Sequence, residues 1–353
     1  LCFLYFKNNL STALHLELLK DKNYYVLYIM KKIRMKYDTI NGLNKKISKL
    51  IIGNDNQTNL DEASKLWDHW IEVGGNAFDN AHIYGNGLME TLLGKWHRKK
   101  NNLNDIVIIA KGAHTPNCDP KSLSQQLTES LDRLQTETAD IYIMHRDNLD
   151  IPVDEFIDAL NDAKERGRIK IFGSSNWTLE RFKKANEWAQ TKNKTPFNIL
   201  NNNLALCKMI NPLWTGCISS NDQDILKYLE ETQTAHLSWS SQGRGYFLPK
   251  EICRAIEDKI TKDEASWRKP GELSSGPLSC FDSEDNRERR NRASILAKEF
   301  NVTTQNIAGS WPLNQSFPSF ALIGPRNIEE IDTSLPSLDI SISKEQSDWL
   351  NLI

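Results

Sequence analysis

One stretch, Gly75-Asn76-Ala77-Phe78-Asp79-Asn80-Ala81-His82-Ile83-Tyr84-Gly85, indicates both the fold of this chain and its chemistry. It places the carboxylate of Asp79 and the phenol of Tyr84 five residues apart, where an apolar strand runs into a glycine-bounded loop. Two later apolar strands run into Lys111 and into His145. Strand ends are where parallel barrels keep their chemistry, so these four side chains are candidates for a catalytic site.

The spacing of these strand ends predicts an α/β fold. Asp79, Lys111, His145 and Ser175 lie 32, 34 and 30 residues apart. A strand, a helix and the return to a parallel strand need about 30 residues. Eight such units close into a (β/α)8 TIM barrel whose active site lies at the C-terminal ends of its strands. The predicted strands are residues 49–53, 77–79, 105–110, 139–144, 169–174, 198–201, 235–239 and 320–323.

Three further segments complete the predicted organisation. Residues 1–34 mix apolar and charged residues without a continuous apolar core, so we expect an N-terminal extension outside the fold and a barrel over residues 35–353. Asn41-Gly42 separates two short strand-like runs, which predicts an N-terminal hairpin. Residues 243–292, between the seventh strand and a helix expected near Asn291, form a long loop that we expect to border the active site.

Composition narrows the class of protein. The 353 residues carry a formal net charge of -2 and are 39% hydrophobic, so nothing attracts the chain to nucleic acid or to an anionic membrane. No apolar run has the roughly 20 residues needed to span a bilayer. The six cysteines contain no C-x-x-C pair, which argues against a zinc site and predicts free thiols in a reducing, cytoplasmic setting. We therefore expect a small-molecule partner.

The four candidate side chains complement one another chemically. A tyrosine with an ordinary pKa near 10 donates a proton poorly until a nearby cation favours the phenolate, and Lys111 could be that cation. Asp79 would hold Lys111 charged and oriented, while His145 could polarise a substrate carbonyl. Each residue alone is more often structural, but four of them at neighbouring strand ends form a coherent set.

The ordered motifs resemble those of the aldo-keto reductases, NADP(H)-dependent oxidoreductases built on a (β/α)8 barrel. The resemblance extends from Met35 to Ile353. It implies that Tyr84 is the general acid, that Lys111 and Asp79 tune it, and that His145 orients the substrate. The segments that carry it are Phe78 to Gly85 with Glu90 and Leu93-Gly94, Ala110-Lys111, Ser130 to Leu134, Asp140 to His145 and Gly173 to Asn176.

The same resemblance implies a nicotinamide cofactor, NADP(H) in preference to NAD(H). Trp239 stands where the family stacks an aromatic ring under the nicotinamide, although it could instead cap the barrel core. Thr333-Ser334 replaces the Glu-Asn pair that often holds the adenine. The residues assigned by resemblance are Ser175, Asn176 and Asn201 for the carboxamide, Trp239 for stacking, Ser240 and Gly243 for the pyrophosphate, and Gly324 and Arg326 for the 2′-phosphate.

Two other interpretations stay open from the sequence. Lys111 could be a Schiff-base nucleophile in an aldolase-type barrel, with Tyr84 and Asp79 as acid and base. The barrel could also be an NADPH-binding regulatory subunit with little turnover. For the reductase, we expect an aldehyde, ketone or alcohol in an apolar pocket walled by Trp177 and Trp214.

Overall fold

A computed structural model describes residues 35–262 and 276–353. The predicted extension at residues 1–34 lies outside this part of the chain. The strands of the described residues are β1 Tyr37–Asp38, β2 Ile47–Ser48, β3 Leu50–Gly53, β4 Ala77–Asp79, β5 Val107–Gly112, β6 Ala139–Met144, β7 Ile169–Ser174, β8 Ile199–Leu200, β9 Ala235–Ser238 and β10 Ser319–Ile323. Eight parallel strands form a closed barrel in the order β10-β3-β4-β5-β6-β7-β8-β9, which confirms the predicted (β/α)8 architecture.

The predicted N-terminal hairpin is confirmed and closes one end of the barrel. Strands β1 and β2 pair antiparallel, and Gly42 in their turn has a φ of +82°, which suits glycine. The hairpin residues Ile40, Leu43 and Ile47 are buried in the same apolar cluster as the barrel interior. The open end therefore lies opposite, at the C-terminal ends of the strands.

Alternation along the strands separates the core from this open end. Successive side chains of a strand point to opposite faces, so every second residue enters the barrel. In β5 the inward series is Val107, Ile109 and then Lys111, and in β6 it is Ile141 and Ile143, followed by His145. The apolar layers thus fill the barrel, and the next inward position on each strand carries a polar group.

Helices cover the outside of the barrel, and their apolar faces pack against the strands. Capping side chains set several of their starts: Asn59 accepts from the backbone of Asp61 and Glu62, and Asp119 accepts from that of Lys121 and Ser122. The helices are Leu60–Glu72, Leu88–Lys100, Pro120–Leu134, Val153–Glu165, Leu179–Thr191, Gln223–Thr232, Lys250–Lys262, Pro277–Phe281, Glu284–Glu299, Thr304–Ser310, Ile328–Asp332 and Lys344–Leu350. No helix in the described ranges combines the length and apolarity needed to cross a bilayer.

Two predicted boundaries differ from the structure by more than one residue. The third barrel strand is Val107–Gly112 rather than residues 105–110, because Asp105 closes a turn with the carbonyl of Asn102. The helix expected near Asn291 already begins at Glu284, because Ser283 caps it by accepting from the backbone N–H of Asn286. The long connection after β9 contains short helices, and its residues 263–275 lie outside the described ranges.

A close contact between helices generates a prediction at Gly94. A Cβ on this residue would lie 2.2 Å from the carbonyl oxygen of Arg133, in the neighbouring helix. Alanine is the better helix former, yet Gly94→Ala should lower the free energy of unfolding by about 1–3 kcal/mol because the helices cannot approach as closely. Urea denaturation followed by circular dichroism measures this. Lys95→Ala, at an exposed neighbouring position, is the control and should change stability by less than about 0.5 kcal/mol. A Gly94→Ala protein as stable as the wild type would contradict the close packing.

Candidate active site

The four residues singled out in the sequence converge at the open end of the barrel. Lys111 Nζ lies 2.7 Å from Asp79 Oδ2 and donates to the phenolic oxygen of Tyr84 at 3.0 Å. The ring of His145 stands edge-on to the ring of Tyr84, with centroids 5.8 Å apart. A carboxylate, an ammonium, a phenol and an imidazole therefore form one contiguous group.

Strand register places these side chains side by side. Asp79 pairs with Ile109, and Lys111 pairs with Ile143, so the ends of β4, β5 and β6 lie at one level. The ladder continues past the strands, because the N–H of His145 donates to the carbonyl of Gly112 at 2.7 Å. His145 is thus fixed beside Lys111 by backbone bonds rather than by its own side chain.

Tyr84 reaches this group through a tight turn. Its N–H donates to the carbonyl of Ala81 at 3.0 Å, and the following Gly85, Asn86 and Gly87 all have positive φ. Glycine and asparagine tolerate that conformation best. A Cβ on Gly87 would lie 2.4 Å from Arg133 Nη1, so a larger residue here would displace the Arg133 side chain.

Asp79 and Lys111 form a buried ion pair. Each residue is only 3% exposed. Burial disfavours the charged amine, but the Asp79 carboxylate and the Tyr84 oxygen outweigh it and raise the pKa of Lys111. Lys111 is therefore a permanent cation at the base of the site, as the sequence argument required.

The acidity of Tyr84 differs from the sequence-based expectation. Burial raises the pKa of the phenol to about 12, although Lys111 acts in the opposite direction, and Asp79 and Asp55 raise the pKa further. The expected fall of this pKa toward neutrality is therefore wrong in net direction for this structure, because desolvation of the phenolate outweighs the cation. Tyr84 is fully protonated at neutral pH.

His145 is neutral at physiological pH. Burial lowers its pKa well below the usual value, and the positive charge of Lys111, the neighbouring His114 and Arg146 add to the effect. Its Nδ1 is buried without a hydrogen-bond partner in the described part of the chain. A neutral imidazole carries one N–H, which it can donate to a carbonyl oxygen.

The residues assigned to the carboxamide lie on neighbouring strand ends. Ser175 Oγ donates to the carbonyl of Asn201 at 2.5 Å and accepts from Asn176 Nδ2 at 3.0 Å. Asn201 Nδ2 donates to the carbonyl of Leu237, but Asn201 Oδ1 is buried with no donor among the described residues. A carboxamide N–H would supply that missing donor, so this amide fits a nicotinamide.

Trp239 and the turn after it lie across the barrel mouth from Tyr84. The half-buried ring of Trp239 packs on the barrel core and contacts Trp214 at a centroid distance of 6.4 Å. Ser240 and Gly243 both have positive φ, and a Cβ on Gly243 would lie 2.5 Å from Cys207 Sγ. Trp239 therefore caps the core and keeps part of its ring available to a ligand.

The loop after β10 carries the residues assigned to the 2′-phosphate. Arg326 has an exposed side chain, and its Nε lies 3.9 Å from Glu330 Oε1. Ser241 Oγ donates to the carbonyl of Leu322, which ties the end of β10 to the turn after β9. In (β/α)8 barrels the loops after strands seven and eight often bind phosphate together with a short extra helix, and Ile328–Asp332 occupies that position.

One of the two expected walls of the substrate pocket, Trp177, is contradicted by the structure. Trp177 is completely buried, and its indole N–H donates to the carbonyl of Arg146, so it is not a pocket wall. Three polar residues that were not assigned to the site from the sequence lie near Tyr84 and His145. Asp55 lies near Tyr84, and His114 and Arg146 lie beside His145. Their positions just after β3, β5 and β6 could have identified them from the sequence, because the active site of a barrel lies at the C-terminal ends of its strands. Across the described ranges, no three His, Cys, Asp or Glu side chains are grouped to hold a metal.

Comparison with known proteins shows the family to which the chain belongs. The profile of the Aldo/keto reductase family matches residues 49–351. The chain therefore belongs to the aldo-keto reductase family, oxidoreductases that interconvert carbonyl compounds and alcohols and generally use a nicotinamide cofactor.

Individual relatives are distant. The chain is 24% identical to the uncharacterized oxidoreductase YrpG of Bacillus subtilis, over 90% of this chain and 95% of that protein. It is 26% identical to the aryl-alcohol dehydrogenase [NADP(+)] of Phanerodontia chrysosporium, over 82% of this chain and 75% of that protein. A crystallised thermostable aldo-keto reductase in complex with the inhibitor epalrestat superposes with a TM-score of 0.67 at 20% identity, over 90% of this chain and 99% of that one, which supports the fold.

The buried ion pair generates a prediction about stability. Asp79→Asn should lower the free energy of unfolding by about 3–5 kcal/mol, because Lys111 is left buried without its counter-ion. Adding Lys111→Met should recover much of that loss, since no charge then remains. Chemical denaturation of the two single variants and the double variant measures the coupling.

A surface pair supplies the control for that cycle. Asp162 and Arg166 lie 2.9 Å apart with most of their side chains exposed, so Asp162→Asn should cost less than about 1 kcal/mol. Equal losses for Asp79→Asn and Asp162→Asn would show that the buried pair is not electrostatically coupled.

Proposed function

We propose that this protein is an NAD(P)H-dependent oxidoreductase that reduces an aldehyde or ketone to the alcohol, or catalyses the reverse, with Tyr84 as the general acid. The observation that carries the proposal is the contact of Lys111 Nζ with both Asp79 and the Tyr84 oxygen. A protonated phenol beside a fixed ammonium can release its proton to a developing alkoxide, because the ammonium stabilises the phenolate left behind.

The other residues complete the reaction. Ser175, Asn176, Asn201 and Trp239 would hold a reduced nicotinamide, which would supply the hydride for the carbonyl carbon. Tyr84 donates its proton to the carbonyl oxygen. His145, neutral because burial and nearby cations depress its pKa, donates its N–H to that oxygen and holds it near the phenol. Lys111 and Asp79 touch no substrate in this scheme; they keep Tyr84 oriented and stabilise its anion.

NADP(H) is the cofactor we propose. Asn201 Oδ1 lacks a donor, and Trp239 offers a flat apolar face, which suits a nicotinamide ring and its carboxamide. Arg326 is exposed and presents a forked donor suited to phosphate. The name of the aryl-alcohol dehydrogenase relative specifies NADP(+), which supports the same preference. The carboxylate of Glu330 contacts Arg326 and would compete with the 2′-phosphate for it, so NAD(H) is the alternative cofactor.

The charge on Lys111 distinguishes this proposal from a Schiff-base lyase. A nucleophilic lysine must lose its proton, which requires a lowered pKa. Asp79 instead raises the pKa of Lys111, and both hydrogen bonds of the ammonium depend on its protons. The reductase chemistry uses a charged lysine, so it fits the geometry better. A regulatory NADPH-binding role would not require the arrangement of Asp79, Tyr84, Lys111 and His145.

Tyr84→Phe tests the role of the phenol. Loss of a positioned general acid typically costs about 10²–10⁴ in rate, so kcat with an aromatic aldehyde and NADPH should fall by about that factor. Nucleotide affinity should change little, because Tyr84 is not assigned to the cofactor. Tyr228→Phe, on the helix Gln223–Thr232, is the matched control and should keep wild-type rates. More than a tenth of wild-type kcat in Tyr84→Phe would rule out the phenol as the acid.

Cofactor preference is tested by titrating the protein with NADPH and NADH while following tryptophan fluorescence. Arg326→Ala should weaken NADPH binding about 10- to 100-fold, the value of a charge-assisted contact to phosphate, and leave NADH nearly unchanged. NADH is therefore the internal control. Equal weakening of both nucleotides would place Arg326 in a structural role, and binding of neither would remove the reductase proposal.

A further inference from the structure

Arg146 is a buried cation that has no counter-ion among the residues that the structure describes. It follows His145 directly in the chain and is only 8% exposed. Its Nη1 donates to the carbonyl of His145 at 3.0 Å, and its Nη2 lies 3.7 Å from Cys217 Sγ. Across residues 35–262 and 276–353, no carboxylate forms an ion pair with it.

The groups around Arg146 cannot neutralise it. The adjacent Asp147 is occupied by Arg181, with two contacts of 2.8 and 2.9 Å. Cys217 and Cys118 both lie close, but burial raises the pKa of the Cys217 thiol and raises that of Cys118 to about 12, so both remain uncharged. A buried charge without an ion-pair partner lowers the stability of the folded protein, so a purely structural role for Arg146 is disfavoured.

The position of the guanidinium links it to the reacting centre. The carbonyl of His145 that it contacts also accepts from Asn176 Nδ2 at 3.3 Å. Cys217, on its other side, bonds through its N–H to the carbonyl of Trp214, whose ring contacts Trp239. Arg146 therefore bridges the backbone of His145 and the segment that holds Trp214 and Cys217, and its positive charge acts on the His145 ring.

We propose that Arg146 binds a carboxylate of the substrate, so that the preferred substrate is an aldehyde or ketone bearing an acidic group. This inference rests on the proposed reductase function. A guanidinium binds a carboxylate through two parallel hydrogen bonds, and the low polarity around Arg146 strengthens that contact. Asp55 would instead favour a cationic substrate, but it is half-exposed, so water can solvate it and it requires no partner.

A matched pair of substrates tests the proposal. The kcat/KM for 4-carboxybenzaldehyde should exceed that for its neutral methyl ester by about tenfold or more, the value of a charge-assisted contact. Arg146→Met should bring the ratio to about one, mostly through KM, and Arg146→Lys should give an intermediate ratio. Arg166→Met removes the same charge from the surface and should keep the wild-type ratio.

Each possible result either supports or overturns a carboxylate site at Arg146. A wild-type ratio of one or less, or faster reduction of 4-(trimethylammonio)benzaldehyde, overturns the proposal while leaving the reductase function intact. If no aldehyde is reduced with either nucleotide, the reductase proposal fails, and calorimetric binding of 4-carboxybenzaldehyde and its ester then tests Arg146 without turnover. Tighter binding of the acid by the wild type than by Arg146→Lys or Arg146→Met supports the carboxylate site, and equal affinities overturn it.

Discussion

The pairing register of β4, β5 and β6 is the constraint on which the active end of this protein depends. Parallel pairing of Asp79 with Ile109 and of Lys111 with Ile143 brings three strand ends to one level. Since side chains alternate along each strand, the layer of isoleucine and valine below sets which residues above face inward. A shift of one residue in β5 would turn Lys111 away from Asp79 and point Ala110 into the barrel in its place. The hydrophobic core thus specifies the position of the Lys111 ammonium.

This placement determines the charge states of the four side chains. Lys111 and Asp79 are nearly inaccessible to water, so each is tolerated as a charge because the other lies 2.7 Å away. The same low polarity raises the pKa of Tyr84 to about 12 and keeps His145 neutral. The phenol of Tyr84 is therefore protonated and the imidazole of His145 is uncharged at neutral pH, which is the state that the proposed carbonyl reduction requires.

Three polar residues near these four side chains indicate how the site selects its substrate. Asp55, His114 and Arg146 follow three different strands, and together they make the surroundings of Tyr84 and His145 more charged than an apolar pocket. Residues on loops at the carboxyl ends of barrel strands vary most freely, because the barrel is held by its own core. Distant family members with 24–26% identity can thus share a fold while differing in substrate.

The barrel, its hairpin and the four catalytic candidates could be predicted from the sequence, because alternation, unit length and turn residues are local signals. Strands β4, β6 and β7 match the predicted ranges, whereas β5 moved by two residues because the turn at Asp105 competes with the strand. The net pKa of Tyr84, the burial of Trp177 and the unpaired charge of Arg146 were not predictable. They depend on desolvation and on neighbours distant in sequence, which exist only once the barrel closes.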